Sequence, residues 1–219
     1  MRFKVLTFAF LVLVLFRTEA DVKPAQIFTS NMVLQQGIEN RIWGWADKRE
    51  AIAVELNGKI VKTKAGKDGK WIVRLPEMDY GGPYKLTISG KNTLVYENVM
   101  IGEVWVCSGQ SNMGWTVASS NNADEEISNA NFPNIRLFTV PNKISAQPLE
   151  DLEGGEWVTC SPETVGRFSA VGYFFGRKLH KDLNVAVGLI NSSWGGTVAE
   201  TWISSETIRE DTDFSDQWE

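Results

Sequence analysis

The hydrophobic pattern changes character near residue 101, and this change constrains the fold more than any other feature of the chain. Up to about residue 100, apolar residues alternate with polar or small ones. Ile52, Val54 and Leu56 lead into Asn57-Gly58, then Trp71, Val73 and Leu75 repeat the alternation, followed by Leu86 and Ile88, and by Leu94 and Tyr96. A period of two places one side of each strand on a core and the other in water. Asn57-Gly58 readily takes the positive φ values of a tight hairpin. Gly66-Lys67-Asp68-Gly69 and Gly90-Lys91-Asn92 are further turn signals. Several short strands at this spacing predict a small antiparallel β-sandwich over residues 21–100. No catalytic constellation stands out in this stretch.

Beyond it, Val104-Trp105-Val106-Cys107 is apolar without alternation and ends abruptly in Ser108-Gly109-Gln110-Ser111-Asn112. A continuous apolar strand suits a parallel sheet covered on both faces. Asp124–Asn131 is predicted as a short helix, Ile135–Val140 as a strand, and residues 142–166 as loop. Ser169–Leu183 reads as a helix, with Val171, Phe175, Leu179 and Leu183 recurring every four residues. Val185–Asn191 is a second strand of the buried type and runs into Ser192-Ser193-Trp194-Gly195-Gly196-Thr197. Helix followed by buried strand is an α/β rhythm. The expected architecture is therefore an α/β parallel-sheet domain over residues 101–219, preceded by the sandwich. No internal repeat is visible.

Residues 1–20 stand apart. Arg2 and Lys4 precede an apolar run from Val5 to Phe16, and Thr18-Glu19-Ala20 offers a small-x-small cleavage site. The run is shorter than the roughly 20 residues that span a bilayer. It is expected to be a secretory signal cut after Ala20, sending the protein to the periplasm or outside the cell. No later segment is apolar for long enough to cross a membrane. In an oxidising compartment Cys107 and Cys160 would either form one disulfide or remain two buried thiols, and the sequence leaves both open. With two cysteines and one histidine, no zinc site is expected. A formal charge of -5, without any basic cluster, argues against nucleic acid as a partner. Oligomeric state cannot be read from the sequence.

Two glycine-containing loops thus follow apolar strands. Reactive groups of open α/β sheets gather at the carboxyl ends of the strands. Gly109-Gln110-Ser111-Asn112 offers a hydroxyl there, and Trp194-Gly195-Gly196-Thr197 offers backbone that a substrate can approach closely. A hydroxyl beside converging N–H donors is what acyl transfer needs.

The block Val104-Trp105-Val106-Cys107-Ser108-Gly109-Gln110-Ser111-Asn112-Met113 resembles the nucleophile block of the sialate O-acetylesterase family, a branch of the SGNH hydrolases. Asn31-Met32-Val33-Leu34-Gln35, Ile42-Trp43-Gly44-Trp45 and Gly69-Lys70-Trp71 resemble the family's leading β domain. Trp157-Val158-Thr159-Cys160-Ser161-Pro162 and Gly188 to Thr197 resemble its later blocks. The resemblance implies a flavodoxin-like hydrolase domain and cofactor-free hydrolysis of O-acetyl esters on sugars, either sialic acids or plant polysaccharides. By the same resemblance Ser111 is the nucleophile. The Ser111 backbone N–H and that of Gly195 or Gly196 would form the oxyanion hole. Gln110 and Asn112 would shape the nucleophile loop, and Glu200 and Trp202 fall where the family lines its pocket.

One departure matters. A serine of this kind needs a histidine base oriented by a carboxylate, which the family carries in a D-x-x-H motif far toward its C-terminus. The single histidine here, His180, is expected mid-helix between lysines, about 100° round from Leu179. Few strands are expected after residue 100, and the sequence stops at Asp216-Gln217-Trp218-Glu219 without a closing signal. The chain is therefore expected to be the N-terminal part of a longer esterase, inactive by itself. The alternative is a non-catalytic carbohydrate-binding protein or an inactive remnant.

Overall fold

The computed structural model describes residues 21–145 and 147–210. The expected signal segment and the terminal Asp216–Glu219 lie outside the described residues. Eleven strands follow in chain order. They are β1 (Lys23–Pro24), β2 (Val33–Gln35), β3 (Asn40–Trp45), β4 (Ala51–Leu56), β5 (Lys59–Lys64) and β6 (Lys70–Leu75). After these come β7 (Gly81–Ser89), β8 (Thr93–Gly109), β9 (Phe132–Thr139), β10 (Trp157–Cys160) and β11 (Ala186–Ser193). The helices are α1 (Ser111–Gly114), α2 (Ala123–Ser128), α3 (Pro162–Val165), α4 (Ala170–Leu183) and α5 (Ser205–Glu210).

The strands form two sheets. A small one has the order β1-β3-β6, and a large one the order β10-β9-β11-β8-β7-β4-β5, with β2 also paired to β8. Alternation sets the sandwich. Ile42, Trp71 and Val73 of the small sheet face Ile52, Val54, Leu56, Leu86 and Ile88 of the large one in a single core. Each such side chain contributes roughly 1.5–3 kcal/mol by leaving water. Asn57 (φ 49°) and Gly58 (φ 73°) make the expected tight turn, with Leu56 opposite Lys59. The Gly66–Gly69 turn instead carries the chain from β5 in one sheet to β6 in the other.

Strand β8 passes through position 100 without a break. Its first half pairs antiparallel with β7, and from Gly102 to Gly109 it pairs parallel with β11. One long strand therefore belongs to both the sandwich and the α/β region. Helix α4 and its neighbours cover one face of the parallel strands through Ile135, Leu137, Tyr173, Val187 and Leu189. The other face is covered by the N-terminal β region, where Phe138 and Trp157 join the sandwich core. Arg136 sits in this junction and donates to Asn31 Oδ1 (3.4 Å) and Asn98 Oδ1 (3.2 Å).

Three expectations are corrected. Residues 142–166 are not all loop, because β10 pairs antiparallel with β9 and α3 follows it. At four residues β10 is too short to show a period. In α4 the buried face is Gly172, Tyr173 and Gly176, while Val171 (49%) and Leu183 (52%) are exposed. Gly176 wins the inner position because a Cβ there would lie 2.6 Å from Leu189 Cδ1, so the helix backbone itself rests on the sheet. Finally, β8 is not covered on both faces near its end, with Trp105 43% and Val106 66% exposed. Beyond Gly102 no described strand pairs with β8 on the side away from β11.

Candidate active site

Parallel, in-register pairing decides where the two glycine loops go. Ser192 lies opposite Ser108 and Ser193 opposite Gly109, so β8 and β11 end side by side at their carboxyl ends. Trp194 N–H donates to Gly109 O (3.0 Å) and fastens the second loop to the first. Gly109 has φ +141°, a conformation closed to most side chains, and this lets β8 turn sharply into α1. The turn is closed by Gly114 N–H donating to Gln110 O (2.9 Å). Ser111 emerges as the first residue of α1, exposed to solvent.

Of the glycine pair, Gly195 stands against the hydroxyl. A Cβ built on Gly195 would lie 3.0 Å from Ser111 Oγ, whereas one on Gly196 would meet nothing within 4 Å. The Gln110 side-chain amide donates to Thr197 O, so Gln110 bridges the two loops. The Asn112 side chain makes no hydrogen bond among the described residues, and it is exposed. Thr197 Oγ1 donates to Trp194 O (2.8 Å) and accepts from Trp202 Nε1 (2.8 Å), which fixes Trp202 behind the loop.

A cavity of about 530 Å³ shares Ser193, Trp194 and Thr197 with this loop and is walled by Pro141, Ile144 and Trp202. Glu200 is half-buried in the short 3-10 turn Ala199–Trp202 and does not line the cavity. Ser193 donates from Oγ to Asn191 Oδ1 (2.7 Å). The sequence reading missed Trp194 and the 140–145 wall. Trp194 had a signal in its place just before the glycine pair, whereas the wall comes from a loop with no recognisable pattern.

His180 is not part of the site. Its Nδ1 donates to Val185 O (2.7 Å) at the far end of α4, and its ring edge meets Phe132. Val185 precedes the eight-residue β11, whose other end reaches the Ser111 loop, a separation of about 25 Å at the rise of an extended strand. Cys107 and Cys160 are both buried and unpaired with each other. Burial pushes the Cys160 thiol up to about 12 and raises that of Cys107. Among the described residues no cluster of His, Cys, Asp or Glu is arranged to hold a metal.

No protein-family profile matches the chain. The human sialate O-acetylesterase is 36% identical over 206 residues, spanning 84% of this chain and 39% of the human protein. The rat enzyme of the same name is 35% identical, with 84% of this chain and 38% of its own length matched. Over 84% of its length the chain is thus homologous to sialate O-acetylesterases. A solved carbohydrate acetylesterase from Xanthomonas citri superimposes with a TM-score of 0.84 at 37% identity, over 87% of this chain and 44% of that one. The mixed parallel and antiparallel sheet is thus shared with a carbohydrate acetylesterase. The chain spans about two-fifths of the length of the sialate O-acetylesterases it matches.

Proposed function

We propose that the chain carries the nucleophile half of a carbohydrate O-acetylesterase. The observation that supports this most is the close approach of Gly195 to exposed Ser111 at the ends of two paired parallel strands. Ser111 Oγ attacks the acetyl carbonyl while a base removes its proton, and the carbonyl oxygen becomes negative. The Ser111 and Gly195 backbone N–H groups are the donors assigned to that oxygen. Collapse of the intermediate breaks the bond to the sugar oxygen, which takes the proton. Water then releases acetate from the acetyl-serine by the same route.

His180 is too remote to be the base, so a base from outside the described residues serves Ser111. Sugar esters are the substrates, with Trp194 and Trp202 as the apolar walls against which the ring rests. The apolar run before Ala20 supports export as the setting.

The test is hydrolysis of O-acetylated sialic acid and O-acetylated xylo-oligosaccharides by the product of the complete gene. Ser111→Ala is expected to lower the rate at least about 1,000-fold with folding unchanged. Full activity in that variant overturns the reading.

A further inference from the structure

We propose that the groove between β3, β5 and β6 is a second carbohydrate site, separate from Ser111, and that it takes glycans bearing a carboxylate. The groove measures about 570 Å³ and shares no residue with the cavity beside Ser111. Trp43, Trp45 and Trp71 dominate its walls, with Ile72 and Lys64 beside them.

Trp71 belongs to the core, but Trp43 and Trp45 sit on the opposite strand face, where the core has no need of them. Ile42 and Val73 already fill the core, and Trp43, opposite Ile72 in register, points the other way and is 40% exposed. The rings are nevertheless held still. Trp43 stands edge-on to buried Phe28 (centroids 4.7 Å), and the Lys23 ammonium covers one face of Trp45 at 5.5 Å. Trp71 forms the buried floor, its indole N–H spent on Trp45 O (3.1 Å). The indole N–H groups of Trp43 and Trp45 make no hydrogen bond among the described residues. A fixed, flat, exposed indole with a free donor suits a pyranose, whose C–H face is apolar and whose rim is all hydroxyl. A protein partner would need a broad surface, about 800 Å² a side, and a groove this small fits a narrow chain better.

Charge selects among sugars. Lys70 is paired with Glu150 at the rim. Lys64 in the groove, and Arg41 two residues before Trp43 on the same strand face, form no ion pair among the described residues. Lys64, the groove's unpaired cation, beside an aromatic platform in a chain whose formal charge is -5, is complementary to a carboxylate.

Calorimetric titration and tryptophan fluorescence of the protein test this directly. The acidic probes are a glucuronate-substituted xylo-oligosaccharide and sialyllactose, and the neutral partners are the unsubstituted xylo-oligosaccharide and lactose. At least one acidic probe is expected to bind and to perturb the fluorescence, with its neutral partner roughly tenfold weaker. Trp43→Ala is expected to weaken binding about tenfold or more. Ile72→Glu, which sets an anion on the exposed platform without touching the core, should do the same. Lys64→Gln should bring the acidic probe down to the neutral one. Binding of no acidic probe, equal binding of acidic and neutral partners, or unchanged binding in folded Trp43→Ala and Ile72→Glu each overturns the proposal. No ester is cleaved in this measurement, so its result is independent of Ser111 chemistry.

Discussion

Gly195 stands so close to Ser111 that a Cβ added to it would lie 3.0 Å from the hydroxyl oxygen. The second loop is therefore shaped around the first, and its glycine keeps the space over the Ser111 hydroxyl open. On the proposed acetylesterase reading, Gly195→Ala is expected to lower kcat at least about tenfold, because small displacements of reacting groups are costly. Its thermal stability should change little, since Gly195 is exposed. Esterase assays beside thermal melts check both, and an unimpaired kcat would separate Gly195 from the chemistry.

Helix α4 rests on β11 through Gly176, where a Cβ would meet Leu189 Cδ1 at 2.6 Å and Cδ2 at 2.9 Å. Leu189 is fully buried and has no room to withdraw. Gly176→Val is expected to destabilise the fold by about 1–3 kcal/mol through overpacking. Phe175→Ser, on the exposed side of the same helix, should cost less. Urea midpoints of the two variants decide the order.

The buried thiols predict a pH effect. Cys160 holds its proton up to about 12 when folded, whereas the unfolded chain releases it near the ordinary thiol value of about 9. Above that value the unfolded state binds fewer protons than the native one, so stability falls as pH rises through this window. Cys160→Ala should flatten the alkaline part of a stability curve measured from pH 7 to 11. In native protein both cysteines are expected to resist a thiol reagent that modifies them after unfolding.

Beyond Gly102 the outer edge of β8 carries no described strand, and Trp105 and Val106 are exposed beside it. An open edge with apolar side chains promotes association. Val106→Lys is expected to reduce self-association of the 219-residue chain in sedimentation experiments. The variant should leave the melting temperature close to that of the parent.

Much of this was legible in the sequence because it depended on local periodicity. Ile52, Val54 and Leu56, or Trp71, Val73 and Leu75, lie on the core side that alternation assigns them. Asn57-Gly58 turns as its φ preferences dictate. Ser111 and Gly195 come together because two loops each followed an apolar strand. What escaped depended on distant partners. Short β10 exists through its pairing with β9, and buried Arg136 is held by asparagines 38 and 105 residues away in sequence. The α4 face was misjudged because glycines carry no hydrophobic signal, yet they permit the closest packing. Nor does local pattern show that β8 serves two sheets.

The identity of the attacking oxygen is open to direct measurement. The product of the complete gene, treated with a fluorophosphonate ester analogue and mapped by peptide mass spectrometry, is expected to carry the label on Ser111 and to lose esterase activity in proportion. A label on any other residue that abolishes activity, with Ser111 unmodified, would contradict the account.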